Sequence, residues 1–369
     1  MKPSIPHKLP LNEIDWIQFI PLISKANRAI AQYEGILYGV PNPEVLLSPL
    51  TTQEAVLSSK IEGTRTTLDE VLRFEAGEEA ESESRRQDIQ EIINYRRSLL
   101  AAEKSLKKRP FNLNLMLEMH SILLDSARGR NKGCGRFRNI QNWIGPPGTP
   151  IESADYIPPE PMLLREYLDN WEKYYHAEEK DPLVHLAILH AQFEIIHPFI
   201  DGNGRLGRII FPLYLYEKGL LSRPMFYLSA YFDTNRDSYY HHLRMLNGPD
   251  SWNKWIIFFL NALIEQAQDN TKKARGILSL YQELKDKVLS LTHSQYAIPL
   301  LDKFFGTPIF SSPTIIKGKF MPSKATVMQL LRLLREAGIL KLIKEGSGRR
   351  PQVLALADLI NLCEGKTVI

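Results

Sequence analysis

Apolar residues recur at helical spacing over most of this chain, and clusters of Gly and Pro cut the pattern into segments. Two segments frame its centre. DPLVHLAILHAQFEII, opened by Asp181, is a capped apolar run long enough for a buried helix, and IIFPLYLYEKG, closed by Gly219, is a second. Between them, HPFIDGNGRLGR from His197 to Arg208 predicts a turn and then a helix start, because Pro198 and the glycines keep the first part non-helical. Upstream, the pattern predicts a helix over 14–33, a loop over 42–50, and a helix capped by Ser48 or Thr51 and stopped by Gly63. Further helices are predicted over 67–74, over 89–107, and from Asn112 or Asn114 through LNLMLEMHSILLDS. The charge run at 78–88 reads as a solvated loop and helix start. Residues 127–161 are rich in Gly and Pro and have no helical period, and a loop of that length is usually functional. Helices are again predicted over 162–175, 252–268, 285–291, 296–304 and 324–337, followed by strands over 338–343 and 352–356.

Composition narrows the class. A chain of 369 residues accommodates two or three domains, and 44% hydrophobic with 24% charged residues is ordinary for a soluble globular protein. A net charge of +4 is too balanced to argue for nucleic acid by itself. Cys134 and Cys363 make no disulfide framework and read as reduced thiols. The opening MKPSIPHKLPLNEIDW has no apolar h-region, and the apolar run near 256–260 is far short of a membrane span, so a cytoplasmic protein is expected.

The central turn carries the chemistry. Gly202, Gly204 and Gly207 let backbone N–H groups approach an anion, and a helix N-terminus adds partial positive charge. Arg205 and Arg208, three apart, share a helix face and offer planar donors to phosphate oxygens. Asp201 is a hard oxygen ligand of the kind that completes a Mg²⁺ bound to phosphates. His197 can take a proton near neutral pH. Cradle, metal ligand and base together point to transfer of part of a nucleotide to a nucleophile. Glu62, in SSKIEG, stands at the end of a predicted helix just before Gly63, the electrostatically unfavourable end for an acid.

The twelve residues from His197 match, at every fixed position, the signature His-x-Phe-x-Asp/Glu-Gly-Asn-Gly-Arg-x-x-Arg, so the chain resembles the Fic family over most of its length to about Gln268. The resemblance implies a helical core that transfers AMP from ATP, with Mg²⁺, to a hydroxyl side chain of a target protein. By motif position His197 is then the base and Asp201 the Mg²⁺ ligand. Gly202, Asn203, Gly204 and Gly207 belong to the nucleotide-binding turn and helix start, and Arg205 and Arg208 contact the phosphates. Ser58 and Glu62 resemble the family's inhibitory Ser/Thr-x-x-x-Glu-Gly/Asn motif, which implies that Glu62 pairs with Arg208 and displaces the ATP γ-phosphate. Gly135 to Arg138, Trp143 and Ile144, and then 151–159, resemble the family's β-hairpin flap, along which a target protein is expected to align near 151–156. Tyr240 and Asn247 resemble the wall around adenine.

The chain is therefore expected to be mainly α: an N-terminal helical region with the inhibitory helix (1–110), a Fic catalytic core with a β-hairpin flap (111–268), and a winged-helix-like domain (269–369). Lys317, Lys319, Lys324, Arg332, Arg335, Arg349 and Arg350 make the last part locally basic, which leaves DNA binding and protein binding both open. A homodimer is carried over from the resemblance. Two alternatives stand beside AMP transfer: hydrolytic removal of AMP in the same site, and a DNA-binding regulator that senses nucleotide. The intact His197 argues against the second.

Overall fold

The computed structural model of the chain describes residues 2–126, 128–129, 131–146, 148–246, 248, 250–316, 321–347 and 350–369. Of the residues singled out above, Asn247, Lys317, Lys319 and Arg349 lie outside this set. The helices in chain order are α1 (Trp16–Gly39), α2 (Pro43–Leu46), α3 (Ser48–Ile61), α4 (Leu68–Glu75), α5 (Glu83–Leu106), α6 (Leu113–Leu123), α7 (Leu164–His176) and α8 (Pro182–Ile196). They continue with α9 (Asn203–Glu217), α10 (Ser229–Thr234), α11 (Arg236–Arg244), α12 (Ser251–Thr292), α13 (Ala297–Gly306), α14 (Ser312–Ile316), α15 (Lys324–Glu336) and α16 (Ala357–Glu364). Three strands, β1 (Ile309–Ser311), β2 (Lys341–Lys344) and β3 (Val353–Ala355), form one antiparallel sheet in the order β1-β3-β2. The protein is mainly α. No helix among the described residues is long and apolar enough to cross a membrane.

Two compact units divide the chain. The first comprises the residues up to Glu34, Leu57–Thr64 and Ile93–Gln268. Its centre is α8, where every residue from Leu183 to Phe193 is buried. The helix starts as the sequence predicts: Asp181 Oδ1 accepts from the N–H groups of Leu183 and Val184 at 2.9 and 3.0 Å, and Pro182 fills the first turn, where no N–H is needed. Helices α7 and α9 pack on α8. Trp171 and Trp255 bury their rings here and donate their indole N–H to the carbonyls of Leu189 and Ala187.

The second unit comprises Gly35–Val56, Arg65–Ile92 and Asp269–Ile369. All three residues of β1 and of β3 are buried, with Phe310 opposite Leu354, and α4 packs on β1 while α2 packs on α13. Helix α4 begins with a capping box in which Thr67 and Glu70 each satisfy the other's backbone N–H.

Several boundaries differ from the pattern. The helices expected at 252–268 and 285–291 are one helix, α12, and α5 takes in the end of the charge run. Gly276, inside α12, is a packing spacer: a Cβ there would stand 2.9 Å from Leu362 Cδ1 of α16. Helix α2 lies inside the expected loop, and β1 and α14 are additional; at three to five residues such elements carry no readable period. Strand pairing within the flap is a single antiparallel bridge, Ile144 with Tyr156, among the described residues, and Ile151–Ser153 is a 3₁₀ turn.

Candidate active site

The turn between α8 and α9 is built from backbone conformations that few residues adopt. His197 ends α8 at φ 47° and ψ 62°, left-handed and rare for a residue with a Cβ, and Gly202 opens α9 at φ 81°. The Asn203 amide ties the turn together, accepting from Phe199 N–H at 2.9 Å and donating to Phe199 O at 2.8 Å. From α6, His120 stacks on Phe199 with ring centroids 3.8 Å apart. Its Nδ1 accepts from Gly135 N–H, so Nε2 carries the proton and donates to Asp201 O at 3.0 Å. His120 is thus a packed side chain with both nitrogens occupied.

A helix end leaves carbonyls without partners, and the flap supplies donors for those of α8. Tyr156 Oη donates to Ile195 O at 2.9 Å. Buried Arg138 donates from Nε to His197 O at 2.9 Å and from Nη2 to Pro159 O at 2.6 Å, while its backbone N–H reaches Pro198 O. Asn142 donates to Phe199 O. The same side chains that fix His197 therefore fix the flap beside it.

A cleft of about 640 Å³ opens over this frame, lined among others by Glu62, Trp143, Ile144, Glu194, His197, Gly204, Arg208, Arg236, Tyr239 and Tyr240. The size suits a nucleotide-sized ligand. His197 faces it with its ring half-buried, and burial pushes its pKa down to about 4, so the ring is neutral at neutral pH. Arg208 is fully buried; its Nη2 meets Glu62 Oε1 at 2.5 Å, its Nε meets Ser58 Oγ at 2.8 Å, and Nη2 also donates to Ser58 O. Burial opposes the charge on Glu62, but Arg208 outweighs it and holds the carboxyl below its usual range, with Arg205 and His197 adding to the effect. The segment carrying Glu62 is pinned twice more: Lys60 pairs with Asp233 at 2.6 Å, and Arg236 donates to Ile61 O at 2.6 Å while lying over the Tyr240 ring.

Of the residues singled out from the sequence, Glu62, His197, Gly204, Arg208 and Tyr240 come together in the cleft. Asp201, in the turn, and Arg205, in the first turn of α9, face each other, Oδ1 to Nη2, at 3.3 Å. Gly202 and Asn203 shape the turn, and Gly207 admits a neighbouring carboxylate, that of Glu194. Sequence reasoning missed Glu194, Arg236 and Tyr239, and it placed Arg138 in the flap without its bonds to the end of α8. Only Glu194 left a signal, as the sole acid of α8.

Residues 20–104 match the model of the Fic/DOC family N-terminal region and residues 110–215 that of the Fic/DOC family, together just over half of the chain. The chain belongs to the Fic/DOC family. A probable protein adenylyltransferase of Aquifex aeolicus is 27% identical over 180 residues, which cover 48% of this chain and 52% of that protein. The protein adenylyltransferase Fic of Drosophila ananassae is 28% identical over 151 residues, 39% of this chain and 26% of its own length. The chain thus spans about half of the first relative and about a quarter of the second. Among solved structures, a Fic family protein from Desulfovibrio desulfuricans superposes with a TM-score of 0.59 at 20% identity, covering 96% of this chain and 98% of that one. A Fic domain containing signaling protein from Bacteroides thetaiotaomicron gives 0.53 at 18% identity, covering 68% of this chain and 97% of its own. These structures share the fold.

Proposed function

We propose that this Fic/DOC chain transfers AMP from ATP to a hydroxyl side chain of a target protein, and that Glu62 holds the activity in check. The observation that carries the reading is the convergence in one cleft of His197, the N-terminal turn of α9 and Arg208, with the carboxylate of Glu62 seated on Arg208. The relatives named adenylyltransferases support it.

The phosphates lie against the first turn of α9, whose N–H groups and Arg208 stabilise negative charge. Neutral His197 takes the proton from the target hydroxyl. The oxygen bonds to the α-phosphorus, the bond from that phosphorus to the bridging oxygen of the β-phosphate breaks, and pyrophosphate leaves. Mg²⁺ fits the donor set: Asp201 offers a carboxylate whose side chain is 42% exposed, and an ion held mainly by phosphate and water oxygens needs only one or two such groups. Bound there, the ion would offset phosphate charge. The target approaches along the flap, where exposed Trp143 and Ile144 border the cleft and 151–156 form the rim.

For the second unit we read α13, β1, α14, α15, β2 and β3 as a winged helix, supported by that element order and by the β1-β3-β2 sheet. Arg332 and Arg335 are exposed on α15, and titration with duplex DNA at low salt separates a DNA-binding from a protein-binding role.

The function is tested by incubating the full chain with Mg²⁺ and ATP labelled at the α- or the γ-phosphate. Label from the α position alone should appear on protein. His197→Ala should lower it by about 10²–10⁴-fold while ATP binding changes by no more than about a few-fold. Label from the γ position would contradict the reading.

A further inference from the structure

Helix α9 carries two glycines three apart near its N-terminus, Gly204 and Gly207, and each makes room for a carboxylate. A Cβ at Gly204 would overlap Glu62 Oε1, and one at Gly207 would stand 2.5 Å from Glu194 Oε1. Arg208 follows directly and commits its donors to Glu62 and Ser58. The two carboxylates are therefore treated differently. Glu62 has a partner; Glu194 Oε1 is buried without one. Glu194 also lines the same cleft as Glu62, His197 and Arg208, one turn upstream of His197 on α8.

An unpartnered buried carboxylate oxygen is costly, and the local charges show in which form it is tolerated. The groups bearing on Glu194 are Arg208 on α9, Glu62 just beyond α3, Tyr239 and Tyr240 on α11, and His190 and His197 on its own helix. The positive charge of Arg208 is already matched by Glu62. A second ionised carboxylate would be in excess, and burial pushes the Glu194 carboxyl up to about 8, Arg208 pulling against and Glu62 adding. A neutral carboxyl is a hydrogen-bond donor, and it stands beside the slot a phosphate would enter.

We propose that Glu194 is a second phosphate-binding residue of the cleft: when nucleotide takes the place of Glu62 at Arg208, the carboxyl of Glu194 donates its O–H to a phosphate oxygen. The inference rests on nucleotide binding in the cleft as proposed above. The incoming phosphate replaces the negative charge of Glu62 and keeps Glu194 protonated. Loss of that proton at higher pH removes the donor and places a negative charge against the phosphate, so affinity falls as pH rises.

The test uses the full chain carrying Glu62→Gly, alone and combined with Glu194→Gln or Glu194→Met, titrated calorimetrically with ATP. Measurements are made at about pH 6 and about pH 9.5, a span widened downward because Glu62→Gly removes one of the charges that raise the Glu194 carboxyl. Glutamine keeps the shape and a donor but cannot ionise; methionine removes the donor. The parent should lose about five-fold or more in affinity between the two pH values beyond any change shared with Glu194→Gln, and Glu194→Met should bind about three-fold or more weaker already at the lower pH. Thermal melts at both values check folding, and if the methionine variant is unfolded the glutamine comparison decides alone. Coincident pH profiles with ATP bound overturn the role of Glu194 and leave the cleft's function standing. Absence of ATP binding in every variant removes both.

Discussion

The carboxylate of Glu62 occupies the space that a side chain at Gly204 would fill, and Arg208, four residues further along α9, holds it there at 2.5 Å. If the ATP γ-phosphate uses the same space, a methyl group at Gly204 excludes carboxylate and phosphate alike. Gly204→Ala added to Glu62→Gly should therefore cut self-labelling by about tenfold or more relative to Glu62→Gly alone, equivalent to about 1.4 kcal/mol. Labelling rates of the two proteins at saturating ATP check this, and equal rates would place the phosphate elsewhere.

Arg138 joins the end of α8 to both ends of the flap through the carbonyls of His197 and Pro159. Arg138→Ala leaves those carbonyls without partners and should destabilise the protein by about 2–4 kcal/mol, as for several lost bonds from a charged donor. Arg138→Lys should not restore the transfer rate, because one ammonium cannot reproduce the fork. Denaturant melts and labelling rates measure the two effects, and full rescue by lysine would reduce Arg138 to a buried charge.

The three most deeply buried histidines set a pH dependence of stability. His120 and His185 are pushed down to about 4 and His190 well below the usual histidine range, burial being the main cause in each. Below the ordinary histidine pKa the unfolded chain takes up protons that the folded chain refuses, so stability is full above that range and falls as pH drops through it. Each group contributes at most about 1.4 kcal/mol per pH unit. Unfolding midpoints should fall steadily from about pH 7 to about pH 5, before most carboxylates titrate. A flat profile over that interval would mean that these histidines titrate normally.

The frame of the site was legible because its residues are close in sequence. Asp181 as cap, the apolar run of α8, the glycine turn and the start of α9 follow one another, so period and turn chemistry suffice to place them. Ser58 and Glu62 carry their spacing within one segment, and the structure sets both on Arg208. Arg138 was beyond reach because its meaning lies in carbonyls far along the chain. Glu194 is the one acid of α8, but only the glycine opposite it shows that its carboxylate has a place made for it. The long course of α12 was not read because residues 269–284 were assigned to no element, though the helix runs through them without a break.

The most direct measurement of the central claim is self-labelling from α-labelled ATP by the wild type, Glu62→Gly, Arg208→Ala and the double mutant, treated as a cycle. With Glu62 seated on Arg208, Glu62→Gly should raise labelling by about tenfold or more, a change of about 1.4 kcal/mol. Arg208→Ala should abolish most of that gain in the double mutant, because the freed guanidinium is what grips the phosphate. A rate for Glu62→Gly no higher than wild type, or a gain that survives intact without Arg208, would contradict the account and return Glu62 to being an acid at a helix end.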